Sequence, residues 1–255
     1  MEREHQPFGG KEVSLPVFPL PGVVLFPGTE VSVELVEARY RSMVRHCLKP
    51  DRDMVLALLI HASHASSPTL HGSQGPEHVL GLDGRSRNGE RLEARGEEED
   101  QQPVVCSIAA WGRVISAKEL SEGRWRAMVR GVSRVEIVDA QPPARPFRVM
   151  RCEVRETIHD GSCLVDAERC LRDLALRLVD TVPGVKKPLL DLLDGVAGVE
   201  LADQIACRLI PDPLVRQGIL EELEARPRFE RVIREVAEVC LRADPSCKAG
   251  AGPRN

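Results

Sequence analysis

From Leu15 to Leu35 the chain runs LPVFPLPGVVLFPGTEVSVEL, short apolar runs cut at Pro16, Pro19, Pro21-Gly22 and Pro27-Gly28. Proline offers no backbone N–H and cannot sit mid-ladder, so these pieces are expected at strand starts, bulges and sheet edges. The pattern is strand, turn, strand. Val31, Val33 and Leu35 then alternate with Ser32 and Glu34, the period of a strand with one buried face. After that the period changes. Val36, Tyr40, Met43, Val44, Cys47 and Leu48 fall on one face of a helix expected to end near Pro50-Asp51. Met54–Leu59 follows as an unbroken apolar strand.

The ordered run from Leu15-Pro16 to Leu20, then Val23-Val24-Leu25-Phe26-Pro27-Gly28, a strand and a helix, resembles the opening of the Lon protease N-terminal domain. A lone Phe-Pro-Gly would carry little weight; the whole order is specific. A second stretch points the same way. Glu122 to Ile137 resembles that family's turn-Gly, strand, Gly-hydrophobic-x-Arg run, here Gly131-Val132-Ser133-Arg134, and Ile108–Val114 resembles the strand before it. This chain departs from the family where Ala109 replaces a usual glycine and where Trp111 and Gly112 replace plainer residues.

Composition bounds the function classes. Hydrophobic residues make up 42% and charged residues 29% of 255 residues, a globular balance with room for a substantial core. Aromatics are only 3%, so that core must be built mostly from Val, Leu and Ala. Lys+Arg number 35 against Asp+Glu 39, a net charge of −4 that gives little long-range attraction for phosphate backbones or anionic lipid. Nucleic acid is therefore not the first expectation as partner, and nor is a membrane. No stretch approaches the roughly 18 consecutive apolar residues of a membrane span. The start, MEREHQPFGGKE, lacks the basic and apolar regions of a secretory signal. Eight cysteines are scattered without a Cys-x-x-Cys pair and read as reduced thiols packed as small hydrophobes in a cytoplasmic protein.

The expected organisation is a flexible leader over 1–12, a β-rich domain over 13–157, a helical subdomain over 162–242 and a disordered tail over 243–255. Residues 60–103 turn polar, with Ser, Gly and His first and charge later, and are expected as a disordered insertion within the β-rich domain. Val104–Ser116 and Arg124–Val129, flanking Glu119–Gly123, suggest a hairpin, with Val132–Val138 as a further strand after Gly131. Pro142, Pro143 and Pro146 precede a last strand over Val149–Glu156. From Cys163 the period is helical. Leu164, Ala167, Leu171, Leu174, Ala175, Leu178 and Val179 trace one face, stopped at Pro183-Gly184. Helices are expected about Pro188–Leu193 and Glu200–Leu209, then one capped by Asp212-Pro213, and a last one separated from it by Pro227. The helical half resembles the subdomain behind the β domain in Lon, though runs such as Leu201-Ala202-Asp203 and Leu220-Glu-Glu-Leu223 are common in bundles.

Gly10-Lys11 has His5 where a phosphate-binding loop needs its first glycine, and no Ser/Thr follows. Gly-x-Ser-x-Gly and His-Glu-x-x-His do not occur, and the lysines sit in no peptidase motif. His61, His64, His71 and His78 cluster in the insertion and could ligate zinc, copper or nickel, but a Ser/Gly-rich segment gives ligands no rigid frame. Cys163 and Cys170 fit core packing better than redox chemistry. Arg124-Trp125-Arg126 could stack on and neutralise nucleic acid, or simply present alternating faces of a strand.

The fold expected is α+β: a small, mostly antiparallel PUA-like β barrel with one crossing helix, followed by an α-helical bundle. The resemblance implies a non-catalytic protein without ATPase or peptidase activity and without a cofactor. It also implies binding of exposed apolar segments of unfolded or damaged polypeptides, or action as an adaptor or regulator for a separate protease. Edge strands, and grooves between a β unit and a helical unit, can accept an extended chain. Leu20, Phe26, Trp111 and Trp125 are the candidate contacts, large apolar groups beside Pro/Gly turns; Phe26 and Trp111 fit core positions as well. An RNA-binding PUA-like protein and a metal-dependent protein using the histidine insertion are the alternatives.

Overall fold

The computed structural model describes residues 11–49, 53–60, 79–81, 104–159, 161, 163–179 and 186–243. The four histidines of the expected insertion, nearly all of the expected leader and all but the first residue of the expected tail lie outside these. Among the described residues there are eight strands: β1 (Glu12–Leu20), β2 (Glu30–Leu35), β3 (Met54–Ile60), β4 (Val79–Gly81), β5 (Val104–Cys106), β6 (Ile108–Glu119), β7 (Trp125–Ala140) and β8 (Val149–Arg155). Six helices accompany them among the same residues: α1 (Ala38–Cys47), α2 (Val165–Val179), α3 (Lys186–Gly195), α4 (Gly198–Leu209), α5 (Pro213–Glu221) and α6 (Ala225–Ala243).

β1, β8, β7, β6 and β3 are joined in a ring by antiparallel ladders, and a parallel β1–β3 pairing closes it. The prolines explain how β1 serves two neighbours. Glu12–Pro16 pairs with β8 and Val17–Leu20 pairs with β3, so Pro16 stands at the hand-over between ladders. Glu12 pairs with Glu153, so the sheet already begins inside the expected leader. Within the expected insertion, Val79–Gly81 pairs with β5, which in turn pairs with the end of β3.

Where two strands were expected around Gly131, one sixteen-residue strand, β7, runs through. It survives because extra residues are taken up as bulges: Ile115 in β6 and Val132 in β7 have no opposite partner. Both bulged side chains turn outward and are exposed. The first half of β7 pairs with β2 and the second half with β8.

Helix α1 crosses the barrel, burying Tyr40, Met43, Val44 and Cys47 in a cluster with Phe18, Val33, Leu35, Met54 and Val129. Each such side chain contributes about 1.5–3 kcal/mol of transfer free energy. Val36, expected on that stripe, precedes the helix and is exposed. In the bundle, Pro227 does not separate two helices. It occupies the first turn of α6, where N–H groups have no intrahelical acceptor to lose.

Asp212 caps α5 as expected, its Oδ1 accepting the Leu214 N–H at 2.8 Å with Pro213 at the first helical position. Asp212→Ala should cost about 1 kcal/mol, read as a lowered urea midpoint at unchanged slope. An unchanged midpoint would mean that packing alone sets this terminus.

Barrel and bundle do not have separate cores where they meet. Val24, Phe26, Leu58, Cys106 and Ile108 share one buried cluster with Leu171, Leu189, Ile205, Leu209, Ile219 and Phe229. The chain leaving β8 also pairs with the α5–α6 link, Ile158 donating to the Leu223 carbonyl and accepting from Ala225 N–H, both at 2.9 Å.

Candidate functional site

The Phe26-Pro27-Gly28 turn lies flat on Gly131 of β7. Gly28 N–H donates to the Gly131 carbonyl at 3.0 Å and Gly131 N–H to the Thr29 carbonyl at 2.9 Å. The approach is so close that a Cβ on Gly131 would fall 2.1 Å from the Phe26 carbonyl oxygen. Gly28 has φ of +76°, a left-handed conformation that favours glycine. Its carbonyl accepts from Gln204 Nε2 on α4 at 2.8 Å. A turn of the barrel is thereby fastened to a strand on one side and to a bundle helix on the other.

Behind this joint lies a buried ion cluster. Arg134, 3% exposed, makes a bidentate pair with Asp203, Nη1 to Oδ2 at 2.9 Å and Nη2 to Oδ1 at 2.7 Å, and donates from Nε to the Leu220 carbonyl. Arg228, fully buried, stands 3.7 Å from the same carboxylate and donates to the carbonyls of Glu222 and Leu223 and to Thr157. Burial first, and the neighbouring Arg134 charge second, push Arg228 down to about 10, against Asp203. It remains a cation at neutral pH, so two guanidiniums share one carboxylate.

A cleft of about 490 Å³ opens over this cluster. Its barrel side is formed by Pro27, Gly28, Gly131–Arg134 and the end of β8 with Arg155, Glu156 and Thr157; its bundle side by Val199, Glu200 and Asp203 of α4. Val132, the bulged residue, is 42% exposed here. Arg155 is held by Glu136 and Glu153. Such a cleft, with exposed backbone, an apolar contact and fixed charges, can seat an extended chain. It contains no nucleophile–base pair, and among the described residues no three His, Cys, Asp or Glu side chains are grouped to hold a metal.

The four residues nominated from sequence do not converge. Phe26 is fully buried in the shared core. Trp111 is half-buried against the barrel, its indole N–H donating to Asp53 Oδ2 at 2.8 Å. Leu20 and Trp125 pack against the cluster under α1, with Arg45 5.2 Å over the Trp125 ring. None of Leu20, Trp111 and Trp125 lines the cleft. What sequence reasoning missed is the pair Arg134 and Asp203, although both sit in runs it singled out, Gly131–Arg134 and Leu201–Asp203. The signal available was a charged residue inside an apolar helical stripe.

Arg124 and Arg126 both face Glu34, whose carboxyl is held below its usual value by the hydrogen bond from Arg126. One carboxylate thus offsets one of the two charges in that cluster. Burial pushes the Cys152 thiol up to about 12, with Asp139 adding, and raises Cys106 and Cys240 as well, which keeps them protonated and unreactive. Among the described residues no helix is long and apolar enough to cross a membrane.

Residues 14–238 match the family model described as the ATP-dependent protease La (LON) substrate-binding domain. Among solved structures, the chain is similar to the N-terminal domain of the Mycobacterium avium complex Lon protease, at 14% identity and a TM-score of 0.58, with 89% of this chain and 99% of that one covered. It is also similar to a Lon N-terminal domain protein from Xanthomonas campestris, at 18% identity and a TM-score of 0.51, covering 87% and 98%. No curated protein matches it.

Proposed function

Because this chain belongs to the Lon substrate-binding domain family, a family of substrate-recognition modules, we propose that it binds other polypeptides directly. It holds exposed apolar segments of unfolded or damaged proteins in the cleft between barrel and bundle. It acts without chemistry of its own, as an adaptor or regulator that brings such chains to a separate protease. The observation that carries this reading is the cleft itself: it lies at the seam of the two units, where the Phe26–Thr29 turn, the β7 bulge and α4 converge. We place the protein in the cytoplasm, a reading supported by seven cysteines that are all free thiols among the described residues.

The test uses a reduced, carboxymethylated protein, permanently unfolded and fluorescently labelled, titrated with the full chain and read by anisotropy. Val132→Asn should weaken binding about tenfold, since truncating a central apolar contact costs more than about 1 kcal/mol. Ile115→Asn, at the outward bulge that lies outside the cleft, should leave it unchanged. Absence of binding, or equal loss from both variants, would sink the assignment of the cleft.

A further inference from the structure

Resting on the polypeptide-binding reading above, we infer that the cleft selects segments in which a lysine or arginine stands beside an apolar residue. The charges at and behind the cleft are uneven. Three arginines face it or underlie it, Arg134, Arg155 and Arg228, and each already has carboxylate company. Arg134 and Arg228 share Asp203, and Arg155 lies between Glu136 and Glu153. Those carboxylates balance the three cations one for one.

Two more carboxylates remain. Glu156 follows the end of β8, and Glu200 lies in the first turn of α4, so one stands on each side of the opening. Both are exposed, and neither makes an ion pair or a side-chain hydrogen bond among the described residues. Glu200 is turned into the cleft: its Oε1 lies 2.8 Å from where a Cβ on Gly28 would be. No lysine or arginine among the described residues is ion-paired with either carboxylate.

Between the two acids the cleft offers apolar surface, the exposed Val132 and the half-buried Val199. A lysine or arginine suits that arrangement because its methylene stem lies along apolar surface while the charged head reaches the carboxylates. An acidic segment or a phosphate backbone would instead be repelled by the two uncompensated carboxylates.

The test uses the full chain and short fluorescein-labelled peptides that share one apolar sequence and differ only in carrying Lys, Gln or Glu at fixed positions. The Lys peptide should bind about fivefold more tightly than the Gln peptide, the sum of two partly solvated pairs, and the Glu peptide more weakly than either. Glu156→Gln/Glu200→Gln should abolish the preference, so that the Lys and Gln peptides bind alike. Raising the salt to about 1 M should do the same to the intact chain. Equal binding of all three peptides would overturn the charge selection and leave the polypeptide reading standing. Binding of none would remove both.

Discussion

Asp203→Ala is expected to destabilise the protein by about 3–5 kcal/mol, because it strips the shared carboxylate from two buried guanidiniums. Arg134 and Arg228 would then face each other across the seam of barrel and bundle without the carboxylate they share, both nearly fully buried in the folded chain. The loss is read as a lowered urea midpoint in far-UV circular dichroism. A second variant separates charge from packing. Arg228→Met removes the excess cation but keeps the bidentate Arg134–Asp203 pair, so it should cost less than Asp203→Ala despite freeing the carbonyls of Glu222 and Leu223. In Asp203→Ala/Arg228→Met the two losses should fall short of additive, since the second change relieves the repulsion the first creates. Should Asp203→Ala cost less than about 1 kcal/mol, the cluster would be an incidental pairing rather than the lock between the two units.

The barrel and the bundle were legible in the sequence because period is a local property. The alternation at Val31, Val33 and Leu35 and the stripe at Tyr40, Met43, Val44 and Cys47 each report which face of an element is buried. So is a cap such as Asp212, whose acceptor and donor lie two residues apart. Bulges are not local in that sense. Val132 and Ile115 become extra residues only once β6 and β7 are paired, so a glycine at 131 looked like a break between strands. The cleft was less legible still. Its walls come from Gly28, Gly131–Arg134, Arg155–Thr157 and Val199, Glu200 and Asp203, which no spacing rule brings together. Size and hydrophobicity pointed instead to Phe26, Trp111 and Trp125, and those properties favour core positions as much as contacts.

Phe26→Ala distinguishes these two roles for the residue at the centre of the sequence signature. Phe26 is fully buried among residues of both units, including Leu58 and Ile108 from the barrel and Ile205, Leu209 and Phe229 from the bundle. Its truncation should cost about 3–5 kcal/mol, the lost transfer free energy plus the cavity left in a site with little freedom to collapse. Collapse is hindered because the backbone on either side is fixed: Phe26 N–H donates to Thr29 Oγ1, and the Phe26 carbonyl accepts from that hydroxyl and sits against Gly131. The position also predicts a change in cooperativity. Both tryptophans lie on barrel strands, whereas most helical signal comes from the bundle, so tryptophan fluorescence and circular dichroism report the two units separately. In the unmodified chain their urea transitions should coincide; in Phe26→Ala they should part, as the shared core no longer couples the units. A variant that unfolds like the unmodified chain but loses polypeptide binding would reverse the assignment, making Phe26 a contact that becomes accessible and the cleft a secondary feature. A variant that loses stability while the Gln peptide still binds at low temperature would leave Phe26 as the pin of the joint, with the recognition surface on the cleft it supports.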